Sequence, residues 1–178
     1  MQQPLSGIDR VDSFPLWLKD ARLALVTNDA ARNVSGRLSR QVLLDSDFSL
    51  LKLFSPEHGI DVQGADGQEQ QSRKDTATGL PVVSLYGDQM QPSQQDLQDI
   101  DAVLFDIPDI GCRFYTYLWT MTYVMEACSQ YHKPLVILDR PNPTGGNLDK
   151  AEGPMLDEET CQSFIGRWRI PIRHCCTL

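Results

Sequence analysis

Apolar positions along the chain gather into short runs separated by polar stretches. Five runs, at 22–27, 50–54, 81–86, 102–107 and 134–138, are nearly continuous and rich in β-branched or aromatic side chains. Such runs predict strands buried on both faces, hence a largely parallel sheet. A weaker sixth run at 169–173 contains Pro171, which suits only an edge strand. Between the runs, helices are predicted at 13–19, 36–44, 93–98, 115–131 and 157–165. In the third, Ser93 caps and Asp96 takes the third helical position. In the fourth, Leu118, Met121, Tyr123, Met125 and Cys128 fall close to helical spacing. In the last, Asp157 caps and Glu158 and Glu159 sit at the positive end. The alternation predicts an α/β fold, a Rossmann-like mostly parallel sheet flanked by helices, in a single domain over 1–178. The polar stretch 61–78, with Gln63, Gln68, Gln70 and Gln71, predicts a surface or lid loop.

Composition narrows the partners. A net charge of −8 argues against a nucleic-acid backbone or an anionic membrane, both of which call for a field of Lys and Arg. No run approaches the ~18 apolar residues of a membrane span. The first ten residues lack a basic region followed by an apolar one, so no secretory signal is visible. The expectation is a cytoplasmic chain, or a periplasmic or secreted one if a leader was lost. Five cysteines without framework spacing read as reduced thiols. Glutamate is scarce: Glu57, Glu69, Glu126, Glu152, Glu158 and Glu159 are all there are, so a catalytic Glu has few candidates.

The chemistry-bearing motifs follow the strands. Thr27 and Asn28 end the first run. Ser-Pro-Glu-His-Gly at 55–59 ends the second, Asp106 to Arg113 the fourth, Asp139 to Gly146 the fifth, and Arg173-His174 the sixth. In open α/β sheets, ligands bind outside the carboxyl ends of the strands. Glu57 and His58 place a carboxyl and an imidazole on a tight turn beside buried strands, a setting for general-acid chemistry; a turn-capping Glu and a His held by a carbonyl fit the same spacing. Arg113 with Tyr115 and Tyr117 suits a carboxylate clamp and a sugar-stacking surface, or an aromatic helix start. Asp106 and Asp109 allow a metal or phosphoryl reading, but not at the spacing of the aspartate phosphatases. Neither a dinucleotide fingerprint nor a P-loop occurs, and no zinc spacing either, so no cofactor and no metal are expected.

Taken together, the motifs resemble a known family. They are Ser-Pro-Glu-His-Gly (55–59), Thr-Gly-Leu-Pro-Val-x-Ser-Leu-Tyr-Gly (78–87), Phe-Asp-Ile-x-Asp-Ile-Gly-x-Arg-Phe-Tyr-Thr-Tyr (105–117), Asp-Arg-Pro-Asn-Pro-x-Gly-Gly (139–146), Glu-Gly-Pro-x-Leu-Asp (152–157) and Ile-Pro-x-Arg-His (170–174). In this order and spacing they resemble the exo-β-N-acetylmuramidase (NamZ-like) family, formerly a domain of unknown function. The resemblance implies a glycoside hydrolase that releases N-acetylmuramic acid from the non-reducing end of peptidoglycan fragments during cell-wall recycling. It implies Glu57 as the catalytic carboxyl with His58 beside it, and Asp106 or Asp139 as a second carboxyl. Asn28, Arg113, Tyr115, Tyr117, Asp139, Arg140, Asn142 and His174 then line the sugar site, with the lactyl carboxylate of muramic acid as the target of Arg113. The partners implied are muramic acid saccharides, together with a complementary C-terminal domain or a second copy.

Three departures stand out. Family members are longer, so the resemblance is to their N-terminal domain, and the expectation is a chain that lacks the family's C-terminal domain. Cys175-Cys176 replace a Gly-Met pair, and Gln68 stands where many relatives carry an acid. A non-catalytic half-enzyme that only binds the sugar is therefore the alternative expectation, with an exposed apolar patch around His174.

Overall fold

The computed structural model describes residues 4–65 and 73–178, with the side chain of Arg73 outside that description. The chain opens with a 3-10 helix, Gly7–Ser13, capped by Ser6, whose backbone N–H and hydroxyl both donate to Asp9. There follow α1 (Trp17–Asp20), β1 (Leu23–Thr27), α2 (Ser39–Asp45) and β2 (Leu50–Ser55). Next come β3 (Arg73–Lys74), β4 (Pro81–Ser84), α3 (Gln94–Leu97), β5 (Ala102–Asp106), α4 (Thr116–Gln130) and β6 (Leu135–Ile137).

The sheet runs β3-β4-β2-β1-β5-β6, parallel throughout except for the edge strand β3. All five residues of β1 and all five of β5 are buried, as unbroken apolar runs in a central parallel sheet must be. Alternation along β1 divides the core: Leu23 and Leu25 join one cluster with Leu43, Phe48 and Leu53, while Ala24 and Val26 join another with Phe105, Tyr117 and Val124. Strand order reverses between β1 and β5, where Thr27 pairs with Asp106. In open α/β sheets such a reversal, at the carboxyl ends of the two strands, is where ligands bind.

Differences from the sequence-based expectation have local causes. The run at 169–173 forms no strand; Arg173 makes only isolated bridges to Cys112 and Glu152. Pro171 has no N–H to give a ladder. The helix expected at 157–165 is a single turn: Asp157 accepts from the Glu159 N–H and the Thr160 hydroxyl, and the chain then bends at Ser163–Gly166. Residues 157–163 are all exposed, so no apolar face supports further turns. The helix at 13–19 shrinks to α1, since residue 13 ends the 3-10 helix. In α4 the face toward the sheet is Tyr117, Met121, Val124 and Cys128, and Met125 is exposed. The stretch 61–78 holds β3, which alternation did not reveal; Gln68, Gln70 and Gln71 lie outside the described residues.

Close backbone contacts lock the strand ends. Gly7 N–H donates to the Asp139 carbonyl at 2.6 Å, and a Cβ at Gly7 would meet the Leu138 backbone at 2.6 Å. The patch expected around His174 is not exposed: His174 and Cys175 are buried, and Leu178 packs on the Phe105 cluster. Cys175 has φ of 54°, the left-handed region that glycine occupies without strain. Among the described residues no helix is long and apolar enough to cross a membrane.

Candidate active site

The polar residues at the strand ends form two groups. The first lies at the ends of β1 and β5 and reaches the turn after β2. Asn28, fully buried, follows β1, and its Oδ1 accepts the Ala30 N–H at 3.0 Å. That bond fixes the amide's orientation and leaves Nδ2 buried without a hydrogen-bond partner among the described residues. Tyr117, in the first turn of α4, lies beside it. Burial raises the Tyr117 phenol well above its usual range; the nearby Tyr115 and Glu57 add to the rise and the Asn28 amide opposes it. Tyr115 and Tyr117 meet edge to face with ring centroids 4.7 Å apart.

Glu57 is buried on the turn that follows β2. The turn is tight: Gly59 N–H donates to the Pro56 carbonyl, and His58 and Gly59 both take positive φ. His58 Nδ1 lies 2.9 Å from the Gly64 carbonyl, so that nitrogen carries the proton and holds the loop beyond it. His58 thus shapes the turn that presents Glu57.

Asp109 completes this group. Its Oδ2 accepts the Gly111 N–H at 3.0 Å and lies 3.1 Å from His174 Nε2. His174 Nδ1 accepts the Cys176 N–H, and Nε2, close to Asp109, is buried without a hydrogen bond of good geometry. Burial raises the Asp109 carboxyl, against the pull of His174 and of the Gly111 and Ile110 amides. Tyr115 is raised by burial and by the charge of Asp109. The other Asp109 oxygen, Oδ1, is buried and has no hydrogen-bond partner.

The second group is a brace. Arg140 holds both oxygens of the fully buried Asp106, Nε to Oδ1 at 2.6 Å and Nη2 to Oδ2 at 3.0 Å, and donates to the Arg32 carbonyl and the Ser39 hydroxyl. With both oxygens committed to a guanidinium, Asp106 is placed as an anchor for Arg140 rather than as a proton carrier. Asp139 is exposed and accepts from the Arg140 N–H. Asn142 accepts from Thr144 and donates to the Cys176 carbonyl. It packs against Gly111, where a Cβ would come within 2.5 Å of Asn142 Oδ1. Arg113 stands apart from both groups: its Nη1 donates to the carbonyls of Pro154 and Ile170, stapling the 150–173 segment to the start of α4.

Sequence reasoning thus named Asn28, Glu57, His58, Tyr115, Tyr117 and His174, which the fold assembles, and Arg140, Asp106, Asp139 and Asn142, which brace the neighbouring loops. It weighed Asp109 only as the partner of Asp106 in a metal or phosphoryl reading, not beside the tyrosines and His174. It also missed Arg40 on α2. Arg40 is buried and pairs with Asp75 through Nε at 2.9 Å and with Asp29 through Nη2 at 2.6 Å, tying the β1 and β3 loops together. An arginine inside an otherwise apolar helix face was the available signal. Among the described residues no three His, Cys, Asp or Glu side chains gather as a metal would need.

Comparison with known proteins places this geometry among relatives. Residues 23–178 match the family model described as exo-beta-N-acetylmuramidase NamZ, N-terminal. The peptidoglycan beta-N-acetylmuramidase NamZ of Bacillus subtilis (strain 168) is 43% identical over 175 residues, covering 97% of this chain and 42% of that protein. Two crystal structures of DUF1343 family proteins from Bacteroides fragilis NCTC 9343 share the fold. One has a TM-score of 0.84 at 34% identity and the other 0.81 at 33%, covering 97% and 99% of this chain and 43% and 44% of theirs. The chain spans less than half the length of each of these relatives.

Proposed function

The chain belongs to the exo-β-N-acetylmuramidase NamZ N-terminal family, and on that premise we propose that it takes part in hydrolysing β-N-acetylmuramides at the non-reducing end of peptidoglycan fragments. The observation that carries the reading is the placement of Glu57: a buried carboxyl on a rigid turn at the carboxyl edge of the sheet, beside the buried phenol of Tyr117. In this reading Glu57 gives its proton to the glycosidic oxygen as the bond to C1 breaks. Positive charge then develops at C1 and the ring oxygen, and water or the sugar's own acetamido oxygen closes on C1. The second route needs no second carboxyl, in keeping with Asp106 being taken up by Arg140. His58 acts on Glu57 through the turn it holds, and the partly exposed Tyr115, backed by the buried Tyr117, offers its ring to a pyranose. No cofactor enters the scheme.

The test is hydrolysis of a chromogenic β-N-acetylmuramide by the chain and by Glu57→Gln. Loss of a proton donor predicts a fall in kcat of at least about 100-fold, with KM little changed. Turnover that survives Glu57→Gln removes Glu57 from the role. Sugar binding without any turnover in the unaltered chain favours the non-catalytic alternative.

A further inference from the structure

The two edges of the sheet differ. One is β3, the basic pair Arg73 and Lys74, the kind of sequence that keeps an edge from pairing with its like. The other is β6, whose Leu135, Val136 and Ile137 are apolar and half-buried, with no charge, proline or bulge among them. Its ladder to β5 uses the groups of the even-numbered residues. The Pro134 carbonyl accepts the Val103 N–H, and the Leu138 N–H donates to the Phe105 carbonyl, both at 2.9 Å. Alternation therefore turns the N–H and C=O of Leu135 and Ile137 outward, where no described strand pairs with them. Beside this edge lies a groove of about 560 Å³, lined in part by Phe14, Val136, Leu138 and the exposed Leu5. A charge stands beyond each end of the strand. Before it is Lys133, whose ammonium uses one of its three protons on the Ile100 carbonyl. After it is the exposed Asp139, which accepts the Arg140 backbone N–H and makes no ion pair among the described residues.

We infer that β6 is a self-association edge, occupied by the β6 of a second copy running antiparallel about a two-fold axis through Val136. In that register Leu135 of each copy lies opposite Ile137 of the other, and each pair exchanges both of its outward N–H···O=C bonds. Lys133 of each copy comes opposite Asp139 of the other, so opposite charges close both ends of the pairing. The neighbouring registers are blocked by bonds already made. Leu135 opposite Asp139 is closed because the Gly7 N–H holds the Asp139 carbonyl, and Ile137 opposite Lys133 because the Lys133 N–H is held by the Cys128 carbonyl. Val136, which lines the groove, meets its own copy on the axis and carries the apolar lining from one chain to the next. The basic β3 at the far edge keeps the pairing closed at two copies instead of propagating into a fibre. The inference stands apart from the muramidase reading and does not need it.

The experiment is sedimentation equilibrium over a concentration series, with amide hydrogen exchange followed on the same samples. Three strand residues a side make a small interface, so the dimer is weak: the mass should climb from 20.0 kDa toward twice that as the chain approaches about 0.5 mM. Over the same range the outward amides of Leu135 and Ile137 should slow in exchange by at least about threefold. The Leu138 amide, bonded to Phe105 within the chain, should not change. Lys133→Glu and Asp139→Lys each set like charges opposite one another and should each weaken the dimer by about three- to tenfold. The double variant restores opposite charges and should recover the dimer, a rescue that misfolding cannot imitate. A chain that stays at 20.0 kDa throughout overturns the inference. So does a dimer whose Leu135 and Ile137 amides exchange at a rate independent of concentration, since its contact lies on another surface. So, too, does a dimer that both single variants leave intact.

Discussion

Single residues at the ends of α4 show how local chemistry governs this chain. Helix α4 closes with Lys133 N–H donating to the Cys128 carbonyl and His132 N–H to the Ser129 carbonyl, a Schellman arrangement. The residue that must turn left-handed there is His132, exposed, at φ of 53°. Glycine adopts that conformation without a Cβ penalty. His132→Gly should therefore stabilise the fold by about 1 kcal/mol, seen as a rise of roughly 2–4 °C in melting temperature. An unchanged or lower melting temperature contradicts this account of the cap. Cys175 faces the same constraint from inside the core. Asp109 was harder to read, because Asp before Ile-Gly is ordinary turn chemistry. Only burial, and the capture of one oxygen by Gly111 and His174, separate it from a turn aspartate.

Among the elements, the parallel strands were legible because their apolar runs are unbroken, and β1 and β5 are buried from end to end. The segment 150–174 was not legible, because irregular backbone leaves no period to read. Its place is set by long-range bonds, Arg113 to Pro154 and Ile170, and Arg173 to Thr144. The Arg40 network belongs to this scale too, joining α2 to the loops after β1 and β3. Removing the guanidinium leaves Asp75 buried and unpaired, so Arg40→Ala should destabilise by about 3–5 kcal/mol, measured by urea unfolding. Burial raises the Asp75 carboxyl, but the hydrogen bonds from Arg40 and Thr78 more than offset that and hold it below its usual range. A depressed folded-state value gives stability that is full above the ordinary carboxylate range and is lost as pH falls through the folded value. Arg40→Ala should flatten that acid limb. A variant with the acid profile of the parent would refute the coupling.

For the molecule as a whole, the strand order accounts for where the candidate site lies. The strand order reverses between β1 and β5, and Asn28, Tyr115, Tyr117 and Asp109 lie after these two strands, with Glu57 on the turn after β2. The sequence announced this edge by placing nearly every polar motif after a strand. It did not announce the division of labour, in which Arg140 and Asp106 brace one another while Arg113 staples a distant segment. Those roles depend on contacts between residues 34 to 57 positions apart, beyond the reach of any local pattern. The central claim is that a muramic acid sugar binds at these strand ends. Amide chemical-shift mapping of the 178-residue chain titrated with N-acetylmuramic acid tests it most directly. The account predicts perturbations concentrated at 27–30, 57–59 and 109–117, and their loss in Asp109→Asn. Perturbations confined to 155–169, or none at saturating sugar, would contradict it.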